Sequence, residues 1–247
     1  MSVFLKMETF VYKNIVVPLQ GKQTFKFVDN YYKKGNKVLD FGCGIGSNSK
    51  LFHHNDYIGV EVDESRVISS RLKYPKNKFE KIPFISENGD RIPFEDNYFD
   101  IVFISLCLHH IDSNTCKLLF KEFSRVLKDN GSIIGIEPCI LPNKYFSNIF
   151  MNIVDAGDYI LTIEEYKKIY SSEAFQVKDI NIVKTFGYHL WQYSAKINKD
   201  PIGPYQGSMT KYRRIIKPIH LASLYGKWGV LLFLFYLIIK PLINLYN

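Results

Sequence analysis

Only four cysteines, Cys43, Cys107, Cys116 and Cys139, occur in the 247 residues, and no two stand at the spacing of a metal knuckle or a redox pair. A disulfide framework and a zinc ribbon are thereby excluded, and thiols in a reducing compartment are the simple reading. No secretory leader is evident, because Lys6, Glu8 and Lys13 break any early apolar run, so cytoplasmic residence is expected. No carboxylate–histidine cluster of metal spacing stands out, and no metal is expected. Charge of a single sign is missing from most of the chain. The net charge is +8, but from Asn198 onward seven basic residues face only Asp200, which leaves +2 for residues 1–197. The excess belongs to the tail, so no nucleic-acid partner is expected. Also lacking is an unbroken run of the ~20 apolar residues that a membrane span needs.

What is present is a folded composition, 47% hydrophobic and 23% charged, long enough for one α/β domain with an appendage. The chain is organised around residues 37–48, K-V-L-D-F-G-C-G-I-G-S-N. Val38, Leu39 and Phe41 read as a buried strand with Asp40 near its end, and Gly42, Gly44 and Gly46 form a turn before a helix expected at 47–52. Glycines at such spacing let backbone approach a ligand or take positive φ. The dinucleotide fingerprint does not fit, since Ser47 stands at its last position. Asp40 would also repel a pyrophosphate, and suits a ligand that carries an ammonium group.

Further along, a helix is expected at 21–33 and strands at 57–62, near 83–86, at 99–106 and at 132–136. Cys116, Leu119, Phe120, Phe123 and Leu127 recur at helical spacing within 112–128, and 129–131 stops that helix. Thr162 and Glu165 form a capping-box signature for a helix to about Ser171. Strands at 177–185 and 188–197 are separated only by Phe186 and Gly187, which permits antiparallel pairing alone. The alternation implies a doubly wound α/β fold: a mostly parallel seven-stranded sheet with a terminal antiparallel hairpin.

Residues 37–48 resemble motif I of the class I S-adenosylmethionine-dependent methyltransferases. Y-I-G-V-E-V-D-E-S ends in Glu61, placed as the acid that accepts both ribose hydroxyls; a solvated loop acid is the competing reading. N-G-D-R-I-P-F-E-D-N-Y-F-D, residues 88–100, is similar to the segment that meets adenine. By position Asp90 takes the amino group and Arg91 supplies backbone beside the ring. S-L-C-L-H-H-I, residues 105–111, resembles the strand-four exit beside the sulfonium, and 122–138 matches the helix, turn and fifth strand, with Asp129-Asn130-Gly131 replacing the usual proline-glycine-glycine. The resemblance implies S-adenosylmethionine as cofactor, held by Asp40, Gly42, Cys43, Gly44, Gly46, Glu61, Val62, Asp90, Arg91 and Ser105. The candidate general bases are His110 and Glu137, both expected at the sheet edge that faces substrate. Tyr188, His189 and Trp191 either line the pocket or pack. The proline-shaped amine pocket of nucleic-acid amino-methyltransferases is absent after Ser105.

Three segments are expected: an N-terminal helical or lid segment at 1–34, a core at 35–197, and a basic linker with an apolar helix at 198–247. Residues 228–239 are twelve apolar or glycine positions, preceded by Lys211, Arg213, Arg214, Lys217 and Lys227. That pattern suits contact with an anionic cytoplasmic membrane face through 211–246. Burial against the core or a second subunit is the alternative. The function implied is methyl transfer to a small-molecule or lipid-linked acceptor at a membrane surface. A cofactor-binding scaffold without turnover, or methylation of a protein or nucleic acid, are the competing readings.

Overall fold

A computed structural model describes residues 17–198, apart from 87, 88, 156, 186 and 188. Five strands run parallel: β1 (Val38–Phe41), β2 (Tyr57–Glu61), β3 (Lys78–Lys81), β4 (Phe99–Ser105) and β5 (Leu127–Ile140). A two-residue strand, β6 (Leu161–Thr162), extends the end of β5. The hairpin strands β7 (Phe175–Lys184) and β8 (His189–Ile197) close the sheet, with β8 antiparallel to β5. The order is β3-β2-β1-β4-β5-β8-β7, with β6 off this path. This is the doubly wound sheet with an antiparallel end; β6 is the one strand that the sequence pattern did not announce.

Both faces of the sheet are covered, which explains the unbroken apolar runs of β1 and β4. Along β4, Val102 and Ile104 join one core with Leu119, Phe120 and Phe123 of α3 (Ser113–Val126) and Tyr166 and Tyr170 of α5 (Ile163–Ser172). Ile101 and Phe103 join the opposite core with Phe27 and Val28 of α1 (Val17–Asp29), Val67 of α2 (Glu64–Lys73) and Phe150 and Met151 of α4 (Tyr145–Val154). In this way α1 packs Phe27 and Val28 onto the sheet. The capping box at α5 is complete, with Thr162 Oγ1 accepting from the Glu165 N–H and Glu165 accepting from the Thr162 N–H.

Three expectations need correction. After Gly46 the chain makes only a single 3-10 turn, Ser47–Leu51, before Phe52 returns to extended backbone. The third strand is Lys78–Lys81, not 83–86. It is an edge strand whose only buried side chain is Phe79, flanked by charges, and Pro83 offers no N–H to continue it. The fifth strand begins before the expected turn: Phe99 pairs with Leu127, Ile101 pairs with Ser132, and 128–131 bulge between them. Gly131 fits that bulge because a Cβ there would stand 2.9 Å from the Lys128 carbonyl oxygen. Helix α4 was not foreseen. The linker and tail from 199 onward lie outside the described residues. Among the described residues, no helix is long and apolar enough to cross a membrane.

Candidate active site

The C-terminal ends of β1, β2, β4 and β5 share one edge of the sheet, where open α/β sheets bind their ligands. Asp40 is 1% exposed and lies opposite Gly59 on β2. Its Oδ2 accepts from the Tyr57 hydroxyl at 2.7 Å, while Oδ1 is buried without a hydrogen-bond partner. Burial pushes its carboxyl up to about 7, the Tyr57 hydrogen bond opposes that, and the charge of Glu61 adds to it. Gly59 has no side chain because a Cβ would meet the Tyr57 hydroxyl, the Phe79 ring and the Cys43 thiol within 3 Å. Tyr57 and Gly59 are therefore part of the site's frame; a glycine inside a strand was the signal that sequence reading passed over.

Gly42, Gly44 and Gly46 take φ values of 70°, 56° and 74°. A Cβ at Gly42 would overlap the Cys107 thiol, and one at Gly46 would press on Phe79. At Gly44 nothing lies within 4 Å of that position, so its Cα faces open space. The Gly44 N–H donates to Glu61 Oε2 at 2.9 Å, and the Ser70 hydroxyl donates to the Gly44 carbonyl at 3.0 Å. Glu61, 6% exposed, also accepts from the N–H groups of Val62 and Asp63. A carboxylate offers about four acceptor positions, so a ribose hydroxyl has room for one and would compete with the Gly44 N–H for a second. Val62 itself is 43% exposed beyond the strand. Cys43 is buried, and burial raises its thiol well above the ordinary range, so it is packing and no nucleophile.

Asp90 lies half-buried after β3 and accepts from the Ser86 hydroxyl at 2.6 Å. Arg91 is exposed and turned toward Asp96 and Glu122. The segment is held by Arg125, whose five N–H groups reach Glu122 twice, Asp96, and the carbonyls of Ile92 and Phe94. Ser105 ends β4 half-buried, and Leu106 after it has φ 54°, a left-handed conformation costly for leucine.

Glu137 does not stand where a general base is needed. It is fully buried: Oε1 accepts from the N–H groups of Cys107 and Leu108, both at 2.9 Å, and Oε2 lies 2.7 Å from His109 Nδ1. Its oxygens hold the β4 exit loop in place and face no substrate space. His109 Nε2 lies 3.3 Å from Asp155 just beyond α4. Burial works against the charged imidazole, but Asp155 and Glu137 prevail and push it up to about 10. Asp155 is held below its ordinary range. His110, by contrast, is exposed on the same loop. His109, His110 and Asp155 bring ligand atoms within 4.8 Å of one another, a grouping invisible in sequence spacing. His109 bridges Glu137 and Asp155, so the three form a buried clasp between the β4 exit and the end of α4. Trp191 is 1% exposed and stacks on Tyr166 and Tyr193, so it packs; Tyr188 lies outside the described residues.

An acid with a buried orphan oxygen, a positive-φ glycine loop open at Gly44 and a second acid across that loop meet at the carboxyl edge of the sheet. The fold is the Rossmann-like fold of class I S-adenosylmethionine-dependent methyltransferases. Residues 39–135 match the family model described as a methyltransferase domain. A curated relative, demethylmenaquinone methyltransferase of Staphylococcus saprophyticus, is 32% identical over 110 residues, 42% of this chain and 46% of the relative. The chain spans about half the length of the curated relatives it matches. Among solved structures, the YcgJ protein of Bacillus subtilis aligns with TM-score 0.57 at 14% identity, over 72% of this chain and 100% of that one. Geranyl diphosphate C-methyltransferase of Streptomyces coelicolor, solved with S-adenosyl-L-homocysteine, aligns with TM-score 0.55 at 16% identity, over 73% and 78%. At such identities the structural likeness speaks for the fold.

Proposed function

We propose that this protein transfers a methyl group from S-adenosylmethionine to an apolar small-molecule or lipid-linked acceptor at a membrane surface. The observation that carries the reading is the pairing of Asp40 and Glu61 across an open glycine loop, in a domain of matching family. The curated relatives, named for demethylmenaquinone, favour a small-molecule acceptor over a protein or nucleic acid. The apolar run at 228–239 behind a basic segment favours a membrane setting.

In this reading Asp40 faces the ligand's positive end, Gly42, Gly44 and Gly46 give backbone close approach, Glu61 accepts from the ribose, and Asp90 accepts from the adenine amino group. Cys43, Val62, Arg91 and Ser105 shape the walls. The group held there supplies a methyl carbon already activated by a sulfonium, so the protein's main task is orientation. Glu137 keeps the Cys107 and Leu108 N–H groups, and with them the strained Leu106, in one position at the β4 exit. His110, exposed on that loop, is the candidate to accept a proton from an acceptor that must lose one.

Calorimetry with S-adenosylhomocysteine tests the site: wild type binds, and Glu61→Ala and Gly44→Val bind at least about tenfold more weakly. Equal affinity in all three rejects the assignment. Labelled S-adenosylmethionine offered with lipid extract, protein and nucleic acid tests the acceptor. Label confined to the lipid fraction is the expected result; binding without label in any fraction identifies a scaffold.

A further inference from the structure

We propose that the outer face of α4, together with the tip of the β7–β8 hairpin, docks on an anionic lipid bilayer. Helix α4 runs between the tip of the β7–β8 hairpin and the β4 exit loop. At its N-terminal end the Ser147 hydroxyl donates to the Gly187 carbonyl at 2.9 Å, and Gly187 leaves room for the Phe150 ring. At its C-terminal end Asp155 is clasped by His109, and the Tyr159 N–H donates to the His109 carbonyl at 2.9 Å. Helix and hairpin tip are thus one body fixed to the site.

The inward side of α4 buries Phe150 and Met151, whereas Tyr145, Phe146 and Ile149 are 70%, 71% and 57% exposed. Three large apolar side chains at i, i+1 and i+4 form an outward patch that no described residue covers. Charge identifies the occupant. Residues 141–154 and 180–190 contain no acid, and Lys144 and Lys184 are both exposed. Both lysines act on the same group: burial first, then Lys184 and Lys144, hold His189 below its ordinary range. An apolar and aromatic patch with a basic, acid-free rim suits the interface of an anionic leaflet. A second copy would set lysines against lysines. The chain's own tail is basic at 211–227 and would meet the same repulsion. Docking in this way turns the glycine-loop edge toward the bilayer, so that an apolar acceptor enters from the lipid; that consequence, unlike the docking, rests on the methyltransferase reading.

The test uses the full chain with vesicles of phosphatidylcholine, with and without phosphatidylglycerol. Hydrogen exchange is read across 145–154 and 182–189, and partitioning by co-sedimentation. Wild type should show slowed exchange in both segments with anionic vesicles alone. Phe146→Glu/Ile149→Glu and Lys144→Glu/Lys184→Glu should each lose that protection and partition at least about tenfold less. S-adenosylhomocysteine affinity should stay unchanged in both variants, which shows that they are folded. Vesicle binding with no change in α4 exchange assigns docking to the tail and overturns the proposal. So does partitioning unaffected by either variant, or protection that appears with protein concentration in the absence of lipid. Loss of S-adenosylhomocysteine binding in wild type, with docking retained, overturns the methyltransferase reading alone.

Discussion

At the scale of single residues, Gly44 and Gly42 separate fold from ligand. Both hold positive φ, which costs an L-residue roughly 1–2 kcal/mol. A Cβ at Gly44 meets nothing, while one at Gly42 overlaps Cys107. Gly44→Ala should therefore fold with a loss of about that size and bind S-adenosylhomocysteine poorly, whereas Gly42→Ala should lower the melting temperature further; thermal denaturation beside calorimetry distinguishes them. Asp40 makes binding depend on pH. Its folded value, about 7, lies above the ordinary 3.8, so the free protein holds an extra proton between these values and loses stability as pH rises through that window. A cationic ligand favours the carboxylate, so affinity should climb toward pH 7 with release of a proton, read from calorimetry in buffers of different ionisation enthalpy. The histidine clasp has a different window. Because His109 is raised from 6.5 to about 10, its contribution is full below 6.5 and lost as pH rises through 10. Glu137→Gln leaves an imidazolium half-paired in the interior and should cost about 3–5 kcal/mol in denaturant unfolding. The glycine turn between Asp40 and Glu61 was legible because positive φ restricts residue type. The role of Glu137 was not: nothing in linear order shows that an acid before a proline reaches back to two N–H groups at the β4 exit.

At the scale of elements, the legible pieces are those with a local cause. The period of α3, the capping box of α5 and the tight link between β7 and β8 each rest on residues close in sequence. Thr162→Ala should cost α5 about 1 kcal/mol, measured by urea denaturation. Strand β3 was misplaced because an edge strand carries charges and hides a single side chain, Phe79, so alternation has little to show. Helix α4 escaped because its apolar residues face both inward and outward, which blurs the periodicity used to find helices. The loop after β3 depends on Arg125 of α3. Arg125→Ala removes five hydrogen bonds and leaves the Ile92 and Phe94 carbonyls without that donor. It should speed hydrogen exchange of residues 90–96 relative to the wild type and, on the proposed site, raise KM for S-adenosylmethionine more than it lowers kcat.

At the scale of the whole molecule, the layering follows from the runs of β1 and β4, and the separation of charge follows from where the basic residues fall along the chain. Which strand neighbours which beyond β5 needed the hairpin, whose register is set by Ile133 to Pro138 opposite Leu190 to Ala195. That pairing has a consequence during synthesis. Until residues 189–197 leave the ribosome, β5 presents unpaired backbone groups along Ile133–Pro138. A nascent chain paused there is half a sheet with a sticky margin, and a nonsense product ending before His189 should be recovered in inclusion bodies.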